Sequence, residues 1–284
     1  MPRDEHVIEA LGRSRIVVVS GIVEEVGPAM IKECPLAKRF AQPVIEMTPE
    51  SVRLNIENRI RAFGMCTKER SIASNEDFVI FGASELISEA LSGGMLDSAV
   101  LACDGAGTVV VTKPQTAQGI GGKMSGLMKT SPIPEVIERI ESADAKVLDP
   151  LDATINQVKG TALAYRLGFT KVAVTVAQPE PAEEIRKVYP EALIFGVHLT
   201  GISKEDAERL VAVADIVSGC ASKWIREVAG KAALMQAGSA IPVFALTKRG
   251  KALLALKILA TSQKLLVKTE KLPYLDGKCP QPLI

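Results

Sequence analysis

From residue 77 onward, short apolar runs alternate with amphipathic stretches, and this alternation restricts the fold more than any other feature of the chain. Such a pattern is typical of repeated β-α units. The block from residue 145 onward holds five of the runs with short connections, so right-handed crossovers into one sheet are expected. The runs that predict strands are SAVLACD, AKVLD, KVAVTVA, ALIFGVH, ADIVSGC and IPVFALT.

The composition agrees with this architecture. Hydrophobic residues make up 47% of the chain and aromatic residues only 4%. The core must therefore consist mainly of Val, Ile, Leu and Ala, which suit parallel strands covered by helices. We predict an α/β fold with a mainly parallel, doubly wound sheet. A closed barrel requires eight such units, more than the chain supplies.

The first part of the chain follows a different pattern. Two apolar-rich runs joined by Ser20 and Gly21 predict a β-hairpin over 15–26, because glycine adopts the positive φ of a tight turn. After an irregular proline-rich segment, Thr48 predicts the start of a helix and Gly64 its end.

These signals suggest three regions. We expect an N-terminal region over 1–76 with the hairpin, the Cys-Pro segment and a helix, an α/β body over 77–265, and a C-terminal arm over 266–284. Two lobes meeting near 130–150 are an alternative arrangement of the body.

Charge and cysteine content exclude several classes of protein. Lysine and arginine total 34 against 33 acidic residues, so no excess charge favours nucleic acid. The sequence shows neither a signal-peptide layout nor an apolar run of about 20 residues, so we expect a cytoplasmic protein without a membrane partner. Five cysteines, an odd number, argue against a disulfide framework.

Polar residues close several of the predicted strands. In parallel sheets the carboxyl ends of the strands open into a crevice where ligands bind. Taken singly, such residues more often cap the next helix or fill the core. Their recurrence on one edge nevertheless predicts a site there. The candidates are Cys103, Asp104, Thr175, His198, Cys220 and Thr247.

Two glycine-rich segments are candidates for binding an anion, because glycines let backbone amides approach a phosphate or carboxylate closely. Neither segment completes a known fingerprint, since Met124 stands where a P-loop needs Ser or Thr. A flexible lid is the alternative for either one. The candidates are Gly105, Gly107 and Thr108 in CDGAGT, and Gly119, Gly121, Gly122, Lys123 and Ser125 in a loop over QGIGGKMSG.

Four cysteines lie beside turn residues or strand ends, namely Cys34, Cys66, Cys103 and Cys220. Thiolates from scattered positions can bind an iron-sulfur cluster or another metal when the fold brings them together. No C-x-x-C pair is present, so thiols without a ligand are the alternative.

His198 is the main candidate for acid/base chemistry, since His6 is expected to lie in an N-terminal tail. Together with Cys220 it would form a nucleophilic pair if the two strand ends are neighbours. Cys103 and Asp104 complete the set of catalytic candidates. A structural histidine is the competing interpretation.

Seven segments in a fixed order support a resemblance to a known family. They are PRDEHVIEALGRSRIVVV, IKECPL, FGMCT, LDSAVLACDGAGTVVVTKPQTAQGIGGKMSGL, SPIPEVIERI, ALIFGVH and GCASKWIRE. With these segments the chain resembles the methanogenesis marker protein 8 family, a domain of unknown function, over nearly its whole length. The resemblance implies a link to methane-producing archaea, with methyl-coenzyme M reductase or its maturation proteins as expected partners, but it transfers no catalytic residue.

Three functions fit these observations. The first is an accessory protein that handles a metal, an iron-sulfur cluster or a thiol cofactor in maturation or reactivation of methyl-coenzyme M reductase. The second is an enzyme that binds a phosphorylated or carboxylated small molecule, with His198 as acid/base and Lys123 as anion contact. The third is a docking factor without catalysis.

Overall fold

A computed structural model describes residues 4–124, 126–275 and 277–284. These residues form twelve strands in two sheets, nine α-helices and a 3₁₀ turn at Ala37–Arg39. The strands are β1 Glu5–Ala10, β2 Ser14–Val19, β3 Ile22–Val26, β4 Ser98–Cys103, β5 Gly107–Val111, β6 Gly126–Lys129, β7 Lys146–Val147, β8 Val172–Val176, β9 Leu193–Gly196, β10 Ile216–Ser218, β11 Met235–Ala237 and β12 Val243–Ala245. The helices are α1 Pro49–Phe63, α2 Ala83–Ser92, α3 Pro114–Gly121, α4 Pro134–Glu141, α5 Gln157–Arg166, α6 Pro179–Val188, α7 Lys204–Val213, α8 Lys223–Ala232 and α9 Lys248–Ala260.

The larger sheet has eight strands in the order β11-β12-β10-β9-β8-β4-β5-β7. Its centre, β4-β8-β9-β10, is parallel, but both margins are antiparallel. Within the described residues three of its seven strand pairs are parallel, so the sheet is mixed and the prediction of a mainly parallel sheet is not confirmed. The cause on one side is a turn of three residues between β4 and β5, because so short a connection permits only antiparallel pairing.

Helices cover both faces of this sheet, as a doubly wound arrangement requires. On one face, α2, α3, α4 and α9 pack against alternate strand residues such as Leu101 and Phe195. On the other, α5, α6, α7 and α8 pack against the intervening residues, among them Val174 and Ile194. The central strands are thus buried on both sides, which explains their continuous apolar runs.

The smaller sheet, β3-β2-β1-β6, is antiparallel throughout its described pairs. The predicted hairpin is confirmed as β2 and β3, joined by Ser20 and Gly21 with φ of 49° and 77°. Two positive φ values in a two-residue loop match the right-handed twist of the flanking strands. Helix α1 covers the sheet, and Thr48 caps its start and Gly64 its end, as predicted.

Strand β1 changes the expected role of the N-terminus. His6 was expected in a tail, but it lies on β1 with its ring fully buried. Strand β6 comes from the middle of the chain and pairs with β1, so the smaller sheet includes residues from outside the first 76. In the C-terminal region, Gln281 forms a β-bridge with Glu33.

Among the described residues, no helix has the length and apolar character that crossing a membrane requires.

Candidate functional site

A cavity of about 320 Å³ lies at the carboxyl edge of the parallel strands. Thr175 of β8, His198 after β9 and Cys220 after β10 all line it, and Gly121 and Gly122 at the end of α3 lie on its rim. The structure therefore brings five of the candidate residues together around one space, which we call the crevice. A topological edge of this kind is where α/β sheets bind ligands.

The remaining wall of the crevice is mainly apolar. Its main polar exception is Glu85, near the start of α2, which is 2% exposed. The carboxylate of Glu85 accepts hydrogen bonds from the backbone N–H groups of Phe78 and Val79 and from the side chain of Gln118. Glu85 thus holds the wall together, because its carboxylate forms its hydrogen bonds with groups of the protein. The apolar lining includes Leu36, Phe78, Val79, Leu101, Met124 and Val197.

His198 is held by a carboxylate from the other sheet. Its ring nitrogen Nε2 lies 3.0 Å from Oε2 of Glu9, and the same oxygen accepts a hydrogen bond of 2.8 Å from Nε of Arg13. The hydrogen bond to His198 and the charge of Arg13 lower the pKa of Glu9 to about 2. Because Glu9 is ionised, it accepts a hydrogen bond from Nε2–H of His198, and the tautomer that makes this bond has its acceptor lone pair on Nδ1.

Backbone geometry sets the position of this ring. His198 has a φ of 59°, a left-handed conformation that is uncommon for a residue with a side chain. The ring also packs against Gly126, where an added Cβ would come within 2.4 Å of Nε2. Strained residues cluster at functional sites, so His198 is a stronger candidate in the structure than in the sequence.

Cys220, on the same edge, also has a positive φ, of 43°. Burial raises the pKa of its thiol, while the backbone amides of Leu199 and His198, directed at the sulfur, partly oppose that effect. The thiol is therefore neutral at physiological pH. His198 contacts Cys220 through its backbone, whereas its ring binds Glu9, so the predicted Cys-His nucleophilic pair gains no ring-to-sulfur hydrogen bond.

Cys103 and Asp104 occupy a sealed position away from the crevice lining. Asp104 forms a salt bridge of 2.8 Å with Arg70, and both side chains are 0% exposed. The backbone N–H of Cys66 donates to the other oxygen of Asp104 at 2.6 Å. Burial raises the pKa of Cys103 to about 12 and that of Cys66 well above its usual range. We call this group of four residues the sealed cluster.

The four predicted metal ligands are divided between two places. Cys66 and Cys103 belong to the sealed cluster, whereas Cys34 and Cys220 line a second cavity beside the crevice. In the part of the chain that the structure describes, no group of three or more His, Cys, Asp or Glu residues is arranged to hold a metal ion. The cluster hypothesis stays a prediction without geometric support.

The first glycine-rich segment is a hairpin turn. Gly105 and Gly107 have φ of 83° and 71°, and a Cβ on Gly107 would lie 2.1 Å from the carbonyl oxygen of Ala153. Thr108 is buried, donates to the side chain of Gln157 and accepts from the backbone N–H of Asn156. These residues join β5 to the segment before α5.

The second glycine-rich segment differs from the expected loop, because Gly119 and Gly121 belong to α3. Gly119 is required there for close packing, since a Cβ would lie 2.3 Å from the carbonyl oxygen of Ile72. Lys123 has its ammonium 5.1 Å from the centre of the Phe63 ring. Ser125 lies outside the described residues.

Thr247 was expected at the crevice edge, but the structure places it at the opposite edge. Strand β12 runs antiparallel to β10, so its carboxyl end pairs with the start of β10, where Ile216 faces Ala245. Thr247 caps α9 by accepting from the N–H of Gly250, and it donates to Asp215 at 2.6 Å. The helix-cap interpretation is the one that the structure supports.

Sequence reasoning missed the partners of His198. Glu9, Arg13 and Gly126 lie far from it along the chain, and no local pattern links them. A signal for β1 was present, because the apolar run that begins at Val7 precedes the hairpin by only a few residues. This run predicts a strand, but it does not indicate that the strand lies beside the end of β9, where His198 is found.

The fold and the crevice define a mixed α/β protein with a small cavity at the carboxyl edge of its central parallel strands. The chain belongs to the family described as uncharacterized protein conserved in archaea (DUF2099), whose model matches residues 6–259. It is 43% identical over 284 residues to Uncharacterized protein MJ0054 of Methanocaldococcus jannaschii, covering 99% of this chain and 100% of that protein. A homologue thus occurs in a methanogen.

Proposed function

We propose that this protein is an enzyme that binds a small organic molecule in the crevice and exchanges a proton with it through His198. The observation that carries the proposal is the Glu9 to His198 hydrogen bond at a strained strand end that opens on a cavity. A base oriented by a third group is the arrangement that general acid/base catalysis requires. Nδ1 of His198 is the nitrogen that accepts the proton.

The lining restricts the ligand. A volume of about 320 Å³ is at the lower end of the usual range for small-molecule sites, so the ligand is smaller than a dinucleotide. Most of the wall is apolar, and the polar contacts converge at Thr175, His198 and Cys220. These features support a compact molecule with a carbon skeleton and one acidic C–H, N–H or O–H group near the histidine.

The experiment begins with the ligand. The purified protein is incubated with a small-molecule extract of a methanogen, and native mass spectrometry identifies what binds. Ala102→Leu, which fills the crevice, should abolish binding, whereas Ala260→Leu on the exposed end of α9 should not. If the extract contains no molecule that binds the wild type and is excluded by Ala102→Leu, the proposal is wrong.

Proton transfer is then measured as deuterium incorporation into the bound ligand in heavy water. His198→Asn should keep binding but slow exchange by about 100-fold to 10,000-fold, the usual contribution of a general base. Glu9→Gln should slow exchange less, because it changes the tautomer without removing the ring. Equal exchange in wild type and His198→Asn would contradict the role of His198.

A second part of the proposal concerns the metabolic pathway in which the protein acts. The resemblance to the methanogenesis marker protein 8 family and the homologue in a methanogen support a role beside methyl-coenzyme M reductase, in its maturation or reactivation. Affinity capture of the tagged chain from a methanogen tests this role. Co-purification of the reductase or its maturation proteins supports this role. Their absence contradicts it if an established complex is recovered with a tagged subunit under the same conditions.

A metal or iron-sulfur cluster has weaker support. Thiolates rather than thiols bind metals, and burial raises the pKa values of Cys66 and Cys103 beside the charge of Asp104. The test is anaerobic purification followed by iron, nickel, zinc and sulfide analysis. Stoichiometric metal that is lost in Cys34→Ser or Cys220→Ser would favour this function over the proposed one.

A further inference from the structure

A second cavity, of about 180 Å³, adjoins the crevice and shares Leu36 and Cys220 with it as walls. Its other lining residues include Cys34, Arg59 and Thr200. We call this space the arginine cavity. It is enclosed mainly by the segment before α1, by the turn between β1 and β2 and by the turn after β10, and α1 contributes Arg59.

Arg59 lines this cavity with a half-buried side chain. Its Nε donates a hydrogen bond of 2.9 Å to the side chain of Asn55, and its guanidinium lies 5.1 Å from the centre of the Phe40 ring. Over the described ranges, no carboxylate forms a salt bridge with Arg59, and its two terminal nitrogens have no hydrogen-bond partner. Burial lowers the pKa of Arg59 to about 10, and no neighbouring charge opposes that effect.

Two buried arginines have protein groups facing their charge, although Nη2 of Arg70 and Nε of Arg226 have no hydrogen-bond partner among the described residues. Arg70 faces the carboxylate of Asp104. Arg226 donates to the carbonyl oxygens of Cys220 and Ala240 and to the sulfur of Cys279. Arg59 differs from both, because it is half-buried and its terminal nitrogens are bonded to no protein group in the described part of the chain, so a ligand that enters the cavity can reach them.

We infer that the arginine cavity binds an oxyanion group, with the terminal nitrogens of Arg59 as donors. The planar guanidinium matches a carboxylate, sulfonate or phosphate in a two-point geometry. Thr200 assists, because its hydroxyl oxygen accepts from the N–H of Ala221 at 3.2 Å and its own proton remains to be donated. A volume of about 180 Å³ suits the oxyanion and a few carbon atoms but not a nucleotide.

The inference does not depend on the crevice ligand. An anion alone is expected to bind, since the charge and the donors belong to the arginine cavity. The shared wall at Leu36 and Cys220 also allows one ligand to place its carbon skeleton in the crevice and its oxyanion at Arg59.

Thermal unfolding with inorganic phosphate, sulfate, acetate and methanesulfonate, against chloride at equal ionic strength, tests the inference. At a concentration roughly 100 times the Kd, at least one oxyanion should raise the Tm of the wild type by about 5 °C. Arg59→Met should abolish the rise, Arg59→Lys should reduce it, and Arg61→Met, an exposed position on the same helix, should retain it.

The variants also separate a binding role from a structural one. Without anion, Arg59→Met should unfold close to the wild-type temperature, because Arg59 has no salt bridge among the described residues and methionine keeps most of its apolar stem. Ala102→Leu, which blocks the crevice, should keep the anion response, so failure of the crevice ligand leaves this result standing. The inference is overturned if no oxyanion stabilises the wild type more than chloride, or if Arg59→Met responds as the wild type does.

Discussion

Two hydrogen-bonded pairs, each with a carboxylate, connect the N-terminal region to the larger sheet, and they differ in access to solvent. Glu9 reaches His198 at the end of β9, and Arg70 reaches Asp104 in the turn after β4. The side chains of Glu9 and His198 are 18% and 15% exposed, and His198 lines the crevice, whereas both side chains of the second pair are 0% exposed. A carboxylate paired with a basic side chain therefore belongs to a candidate site in the first case and stabilises the fold in the second.

Each pair also has a cysteine with a left-handed backbone beside it. Cys220 lies next to His198 and Cys66 next to Asp104, with φ of 43° and 58°. Backbone strain alone thus does not separate a site from a structural cluster. The cavity separates them, because His198 and Cys220 line the crevice, whereas the side chains of Arg70 and Asp104 are fully buried.

The largest expected effect is on stability, at the sealed cluster. Asp104→Asn leaves Arg70 charged and without its carboxylate, so the free energy of unfolding should fall by about 3–5 kcal/mol. Urea unfolding followed by circular dichroism measures this change. The double variant Arg70→Met with Asp104→Leu should recover much of the loss, because it removes both charges. A loss below about 1 kcal/mol in Asp104→Asn would mean that the pair does not stabilise the fold.

The local elements were predictable because their signals are local. Alternating apolar runs indicate the strands and helices, and Ser20 with Gly21 indicates the hairpin turn. The direction of each strand in the sheet was harder to predict from the sequence. A short turn such as the one before Gly107 reverses the chain, and whether β12 runs parallel to β10 depends on pairing between segments that are distant in sequence.

The candidate site was predictable in position but not in its partners. Thr175, His198 and Cys220 follow parallel strands, so the rule for strand ends brings them together. Thr247 follows an antiparallel strand and therefore lies at the other edge. Glu9 and Arg59 come from elements outside the parallel core, and only the tertiary structure shows that Glu9 contacts His198 and that Arg59 lines the second cavity.

The second prediction concerns thiol reactivity. Cys66 and Cys103 are fully buried with raised pKa values, whereas Cys34, Cys220 and Cys279 are partly accessible. Under native conditions the two buried thiols should react with a maleimide at least about 100-fold more slowly than the three accessible ones, since the reagent reaches them only after local unfolding. Mass spectrometry of peptides at timed intervals gives each rate. Similar rates at Cys103 and Cys34 would remove the distinction between the sealed cluster and the cavities.

The third prediction uses pH to measure the Glu9 to His198 pair. The pKa of Glu9 is lowered to about 2 in the folded protein, so its stabilising effect is present above the ordinary glutamate pKa and is lost as pH falls toward 2. Because the pair is partly exposed, we expect a loss on the order of 1 to 2 kcal/mol. Glu9→Gln should show a correspondingly flatter decline in unfolding free energy across that range. Parallel curves for both proteins would contradict the pairing.

The smallest effect is expected at His6. Burial lowers its pKa, so the unfolded chain binds the proton more readily and stability should fall as pH drops below about 6.5. In the neutral ring Nε2–H donates to Asp4 at 2.9 Å, and the hydroxyl of Thr130 donates to Nδ1 at 2.6 Å. Protonation reverses only the second bond, and Asp4 favours the charged ring, so the loss should stay below about 1 kcal/mol. Titration of the His6 ring protons by NMR should give a pKa below that of a histidine peptide, and a higher value would show that Asp4 outweighs burial.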